Sequence, residues 1–286
     1  MKILVTGADG QLGKSLKKVF DPHPEFDVAY TDVDALDITD RMAVEEFFAA
    51  DKYDLIINCA AYTAVDKAES DSLTAARINT EAVGNLARVA REKGMRVIHI
   101  STDYVFPGDN CRPYVENDEP RPTSIYGRTK LEGEAVLKSF CPDAIVIRTA
   151  WLYSEDGNNF VKTMLDKGSN GIDLRVVTDQ IGTPTYARDL ATAILAIIRH
   201  EQWKPGIYHF TNEGVASWYD FAKSIFRIAR LKVNVEPVAT KDYHTAAKRP
   251  MYSVLNKSKI KTTFGISIPY WEDSLADCIQ QISDRL

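Results

Sequence analysis

An α/β fold, a doubly wound parallel sheet with helices on both faces and a smaller interleaved C-terminal domain, is what the sequence predicts on three observations. Short apolar runs recur without polar alternation, as strands buried on both faces require. Stretches with apolar positions at helical spacing separate them, which is the order of linked βαβ units. The first apolar run leads straight into a glycine-rich loop.

Ile3-Leu4-Val5, Leu55-Ile56-Ile57, Val97-Ile98-His99-Ile100 and Ile145-Val146-Ile147 read as the buried strands, and Asp27–Thr31 as another. Helical spacing covers residues 11–20, 40–50, 72–93 and 124–138, and right-handed crossovers then place these helices on both faces. Beyond residue 150 the alternation loosens. Helical patterns at 158–167, 186–199 and 217–230 and strand-like pieces at 174–177 and 206–210 are spaced by Gly and Pro. Turn-rich breaks fall at Ser154-Glu155-Asp156-Gly157-Asn158, Lys204-Pro205-Gly206 and Lys248-Arg249-Pro250. The expected division is a dinucleotide-binding domain over 1–150, to which segments near 173–212 and 245–258 return, and a smaller substrate domain over most of 151–286.

The 286 residues fit about two domains of ~150 residues, each long enough to bury its own core. Hydrophobic residues make up 45% and charged residues 26%, an ordinary globular balance. The net charge of -5 and the absence of a Lys/Arg run lack the footprint of a nucleic-acid binder, so an anionic ligand must be held locally. Cys59, Cys111, Cys141 and Cys278 are far apart, with no C-x-x-C pair and no His at ligand spacing. Reduced thiols are therefore expected, rather than a zinc site or a disulfide framework. Ile3–Val5 is too short for a signal peptide and no run reaches membrane-spanning length, so a cytoplasmic location is the expectation by elimination.

The loop Gly7-Ala8-Asp9-Gly10-Gln11-Leu12-Gly13 stands between the first strand and a helical stretch. Glycine allows the tight turn and the close approach of a pyrophosphate, and the unpaired N–H groups and dipole of the helix favour its charge. The following strand ends at Asp32, about twenty residues on, where a carboxylate accepts from both ribose hydroxyls of an adenosine. Asp32 would repel a 2′-phosphate, and no Arg or Lys lies between Asp32 and Asp40, which favours NADH over NADPH.

Tyr126-Gly127-Arg128-Thr129-Lys130 puts a phenol and an ammonium four residues apart, on one face of a helix. An adjacent cation favours phenolate, so Lys130 brings Tyr126 towards the range where it exchanges protons, and the same ammonium can hold the nicotinamide ribose. Ser101-Thr102-Asp103-Tyr104 follows a buried strand at the carboxyl edge, where open α/β sheets bind ligands, and a hydroxyl there reaches a substrate carbonyl.

These stretches, with Asn58-Cys59-Ala60-Ala61-Tyr62-Thr63-Ala64-Val65-Asp66-Lys67-Ala68-Glu69, Arg148-Thr149-Ala150-Trp151-Leu152-Tyr153 and Arg249-Pro250, span most of the chain. The chain resembles the extended short-chain dehydrogenase/reductases, of Rossmann-type fold. The resemblance implies NAD(P)H-dependent reduction of the C4 ketone of a nucleotide-activated sugar. It implies that Tyr126 protonates the nascent alkoxide, Lys130 tunes it and Thr102 hydrogen-bonds near the reacting oxygen. Asp103 and Trp151 would contact the sugar. Gly10, Gln11 and Leu12 would meet the pyrophosphate, Asp32 the ribose, Asp37 and Ile38 the adenine side, and Ala61, Tyr62 and Thr63 the cofactor, with Ile100 near the nicotinamide.

Other readings stay open at this level. Trp151 is equally read as core filling, Asp66–Glu69 as a helix start with solvated charges, and Arg249 as a partner of the diphosphate or a bridge between domains. The superfamily's dehydratases are similar in having Thr-Asp-Glu, where Tyr104 stands here, so the acid for eliminating water is missing. An epimerase, and a cofactor-binding regulatory subunit such as the β subunit of methionine adenosyltransferase, keep the same fold. Some relatives resemble magnesium-bridged dimers with a glutamate after the glycine loop; Lys14-Ser15-Leu16 offers none, so no metal is expected. Monomer and weak homodimer both remain open.

Overall fold

A computed structural model describes residues 1–285. Its centre is a six-stranded sheet, all parallel, built from β1 (Lys2–Thr6), β2 (Asp27–Thr31), β3 (Leu55–Asn58), β4 (Arg96–Thr102), β5 (Ile145–Thr149) and, much later in the chain, Gly206–His209. The order across the sheet is β2, β1, β3, β4, β5 and then 206–209. The chain runs outward in one direction after β1 and in the other from β3. The carboxyl ends of β1 and β3 therefore flank the crevice where such sheets bind ligands.

The unalternating strands are explained by two cores. Ile3, Val5, Leu55 and Ile57 face one side, against Leu12, Leu16 and Phe20 of α1 (Gln11–Phe20). Leu4 and Ile56 face the other, with Val44 and Phe48 of α2 (Arg41–Ala50). Both sides bury apolar groups, so a period-two strand shows no polar alternation in sequence. Asp40 caps α2, its carboxylate accepting from the Met42 and Ala43 amides, and so fixes where that helix begins.

The helical stretch expected over 72–93 is interrupted. After α3 (Val65–Ala68) come α4 (Ser72–Ala76), a π-helical turn over Arg77–Glu81 and α5 (Ala82–Lys93). The turn directs Asn79 inward, where its amide spans two elements: Oδ1 accepts from the Tyr62 amide at 2.9 Å, and Nδ2 donates to the Tyr62 carbonyl and to Thr129 Oγ1. Thr129 belongs to α6 (Ile125–Phe140), which Ser124 caps by accepting from the Gly127 amide.

The later residues form a third core. β6 (Leu152–Tyr153), α7 (Phe160–Ser169), β7 (Leu174–Val177), β8 (Ile181–Gly182) and β9 (Thr185–Tyr186) precede α8 (Ala187–Arg199) and the sheet strand β10 (Gly206–His209). Then follow β11 (Ala216–Ser217), α9 (Trp218–Ile228), β12 (Val235–Val238), α10 (Ser258–Phe264) and α11 (Trp271–Ser283). Residues of α8 and α10 join the first core, packing beside α1. By contrast β7 pairs with β12, and its Leu174 and Val176 pack with α7, α9 and α11. Of the stretch 173–212, then, α8 packs on the large sheet and β10 is part of it, while β7 lies in the smaller core. Among the described residues no helix is long and apolar enough to cross a membrane.

Candidate active site

The carboxyl ends of β1, β3 and β4 open into a cavity of about 820 Å³ between the large sheet and the smaller core. Gly7, Gly10, Gln11, Leu12, Gly13, Asp32, Asp37, Ile38, Ala61, Thr63, Ile100, Thr102, Asp103, Tyr126, Lys130 and Trp151 all line it. Tyr62 does not: its backbone is held by Asn79, and its hydroxyl donates to Asp71 at 3.1 Å.

The glycine loop has the form an anion needs. Gly7 has φ +66°, and a β-carbon there would lie 2.6 Å from the Ala60 amide nitrogen. On Gly13 it would meet Ala8 Cα and the Gly7 carbonyl at 2.5 Å. No side chain caps α1, whose N-cap is Gly10. Its first N–H groups therefore have no intrahelical acceptor and face a cradle that a side chain would fill. Asp32 closes the far end: Oδ2 accepts from the Asp9 amide at 2.9 Å and Oδ1 from the Val33 amide at 2.8 Å. Beside it, Thr39 donates to Asp37 through both hydroxyl and amide, which holds the Asp37 carboxyl below its ordinary pKa.

At the other end the reactive groups are buried. Burial pushes the Tyr126 phenol well above its usual pKa, and the Thr102 hydroxyl beside it only partly opposes this. The phenol is not drawn down as the spacing alone predicts: burial raises it, and the charge of Asp103 adds to the rise. Lys130 itself is lowered to about 8 by burial, with Glu134 working against the shift. Its ammonium donates to the Ile100 carbonyl at 2.7 Å. Thr102 donates to Asp103 at 3.0 Å, and Asp103, 2% exposed, is raised to about 6 by burial. The other Asp103 carboxylate oxygen, Oδ2, is buried with no hydrogen-bond partner.

Several contributors were not legible as site residues. Glu134, one turn beyond Lys130, forms a bidentate pair with buried Arg148 at 2.9 and 2.7 Å and accepts from Ser101. A charged residue closing the apolar run Ile145–Ile147 was its only sequence signal. Asp66 and Glu69 are not simply solvated: Asp66 accepts from Arg249 at 2.6 Å and from the Ala247 amide at 3.0 Å, and Glu69 accepts from the Ile125 amide at 2.8 Å. Arg249 also donates to the Tyr104 hydroxyl at 3.1 Å, so it bridges a late segment to the catalytic region. Tyr104 in turn packs edge-on to Tyr126, with ring centroids 5.5 Å apart.

The turn 154–158, read as a break, folds over the glycine loop. Gln11 Oε1 accepts from Asn159 at 2.9 Å and from Ser154 at 3.2 Å. Fully buried Glu155 draws Lys18, Arg188 and the Tyr186 hydroxyl together at 2.8, 3.0 and 3.1 Å. Asn159, Phe160, Trp218 and Phe221 complete the wall opposite the sheet.

Comparison with known proteins matches residues 1–284 to the family model described as the RmlD substrate binding domain. A dTDP-4-dehydrorhamnose reductase from Aggregatibacter actinomycetemcomitans is 42% identical over 284 residues, covering 96% of this chain and 97% of that protein. The crystal structure of a dTDP-4-dehydrorhamnose reductase from Clostridium acetobutylicum superposes with a TM-score of 0.95 at 46% identity, covering 99% of this chain and 100% of that one. The Bacillus anthracis reductase, solved in complex with NADP, gives a TM-score of 0.94 at 40% identity over 98% of this chain and 99% of the other.

Proposed function

The chain belongs to the RmlD substrate binding domain family, and on that premise we propose that it reduces the C4 ketone of dTDP-4-dehydro-L-rhamnose to dTDP-L-rhamnose with NAD(P)H. The observation that carries the reading is the meeting, in one cavity, of an uncapped glycine-lined helix start with buried Tyr126, Lys130 and Thr102. When bound, the nicotinamide supplies the hydride.

The chain's own residues supply the rest. The loop Gly7–Gly13 offers backbone N–H groups to the pyrophosphate, and Asp32 has lone pairs left for the adenosine ribose. Lys130 spends one N–H on Ile100 and has two for the nicotinamide ribose. Burial keeps the Tyr126 phenol protonated at neutral pH, so it holds a proton ready for the alkoxide oxygen, and Thr102, whose hydroxyl donates to Asp103 at 3.0 Å, would redirect it to the same oxygen. Asp103 and Trp151 face the sugar, and the Gln11 to Asn159 contact roofs the site against water. In this reading the large-sheet lobe, mainly 1–150 with later returning segments, holds the cofactor and the smaller core holds the sugar nucleotide. A cytoplasmic monomer or weak homodimer goes with it.

The test is NADH and NADPH oxidation over a panel of keto-sugar nucleotides. Net oxidation with dTDP-4-dehydro-L-rhamnose is expected. Tightly held NAD without net consumption would make the chain an epimerase, and no turnover at all a regulatory subunit.

A further inference from the structure

A buried ion pair stands one helical turn beyond Lys130. Glu134 and Arg148 are 5% and 1% exposed, and Glu134 Oε1 and Oε2 accept from Arg148 Nε and Nη2 at 2.9 and 2.7 Å. The desolvation of two charges often exceeds their mutual attraction, so apolar residues of similar size would commonly be as stable. The position of the pair gives it another use. Glu134 Oε1 also accepts from the Ser101 hydroxyl, while the Lys130 ammonium donates to the Ile100 carbonyl. Two successive turns of α6 are thereby tied to two successive residues of β4. Arg148, the register partner of Ser101, extends the tie to β5. Its guanidinium lies over the Phe106 ring, 5.1 Å from the centroid, a cation–π contact that fixes its orientation.

We propose that Glu134, held by Arg148 and Ser101, is a positioning residue for Lys130: it sets the register of α6 on β4 and keeps the ammonium charged and aimed at the nicotinamide ribose. The surroundings of Lys130 single out Glu134. Cys59, after β3, is pushed up to about 12 by burial. His99, on β4, is held well below its usual value by burial and by the Lys130 charge, so both groups are neutral. Asp103 and Tyr104, in the turn after β4, bear on the Tyr126 phenol instead, and Arg148 bears on His209. α4 has no titratable side chain, and Glu69, beside α3, holds the Ile125 amide at the start of α6. The π-helical turn presents Asn79 and Thr80, which bond Thr129, while its Arg77 and Glu81 are exposed. α5 places Arg88 and Arg91 at the far end of α6, near Phe140 and Cys141. Among the described residues Glu134 is thus the anion that offsets the burial of Lys130. Without that charge, desolvation would act on the ammonium unopposed, and the amine would lose its proton closer to neutrality.

The inference rests on the reductase reading, and NADH binding without substrate separates the two. Glu134→Gln keeps an amide oxygen for Ser101 and Arg148 but removes the charge. Its kcat/KM for dTDP-4-dehydro-L-rhamnose, and its NADH affinity by fluorescence, are measured across pH beside the wild type and Glu134→Asp. The alkaline limb of Glu134→Gln is expected about one pH unit below that of the wild type, so its deficit in kcat/KM should grow to about tenfold above the wild-type limb. NADH affinity should weaken from the same lower pH. Glu134→Asp, which retains the charge, should return the limb to the wild-type position. A deficit of Glu134→Gln that is equal at every pH would mark a merely structural role and overturn the inference, as would an unshifted NADH profile. If the stranded guanidinium unfolds the single variant, Glu134→Gln combined with Arg148→Gln removes both charges and is read by the same criteria. A wild-type chain that binds NADH yet reduces no keto-sugar nucleotide would sink the reductase reading, while the NADH profile of Glu134→Gln would still decide the role of Glu134.

Discussion

The Lys130 ammonium donates to the Ile100 carbonyl oxygen at 2.7 Å, so α6 is pinned to the end of β4 by a buried charge. Burial brings Lys130 to about 8. The folded pKa lies below the unfolded 10.5, so the charged form is disfavoured by folding, and stability rises with pH between those values as the unfolded chain holds the extra proton. Activity runs the other way. The charge proposed to hold the nicotinamide ribose disappears as pH rises through about 8, and kcat/KM should fall there. A pH profile flat up to the ordinary lysine pKa would contradict this.

Removing the phenolic oxygen tests the proton donor. Tyr126→Phe should lower kcat by ~10²- to 10⁴-fold, the usual contribution of general acid catalysis. Because the ring remains against Tyr104, NADH affinity should stay close to wild type. Turnover retained at the wild-type level would exclude Tyr126.

Asp32 offers a test of the cofactor preference. Its two oxygens already take the Asp9 and Val33 amides, so the carboxylate is fixed where a 2′-phosphate would approach it. We expect kcat/KM for NADH to exceed that for NADPH by about tenfold, a difference of ~1.4 kcal/mol. Asp32→Ser should narrow the gap. Equal or better use of NADPH by the unaltered chain would refute the assignment.

Gly127 lies inside α6, where alanine would ordinarily gain ~1 kcal/mol. Here an added β-carbon would stand 2.2 Å from the Tyr104 carbonyl oxygen and 3.1 Å from Pro122 Cβ. Backbone on one side and a rigid ring on the other cannot yield cheaply. Overpacking should therefore win, and Gly127→Ala should lose about 1–3 kcal/mol in denaturant titration and most of its kcat. A more stable variant would show that the helix can move off Tyr104.

Chelation tests the expectation that no metal takes part. The first turn of α1 carries no carboxylate where some relatives resemble a bridging glutamate site, and turnover after EDTA should match the untreated enzyme. A sharp loss restored by magnesium would contradict it.

How much could be read in advance followed the range of each signal. The strands 3–5, 55–57 and 145–147, the glycine loop and the Tyr126 to Lys130 pair are patterns within a few residues, and all were legible. The π-helical turn was not, because Asn79 is drawn inward by Tyr62 and Thr129, which no periodicity reports. Two-residue strands such as β6 and β9 were missed because a pair of residues has no period to detect.

The sequence by itself determined the sheet, the cofactor cradle and the helical face that carries the phenol and ammonium, since burial and spacing there are local and every turn of chain repeats the signal. Only the tertiary structure decided the far wall. Gln11 meets Asn159 across 148 residues, Arg249 meets Asp66 across 183, and Trp151 meets Trp218 where both pack against the smaller core. Contacts of that separation depend on how completed elements pack, and a side chain's identity does not announce which distant surface it will find.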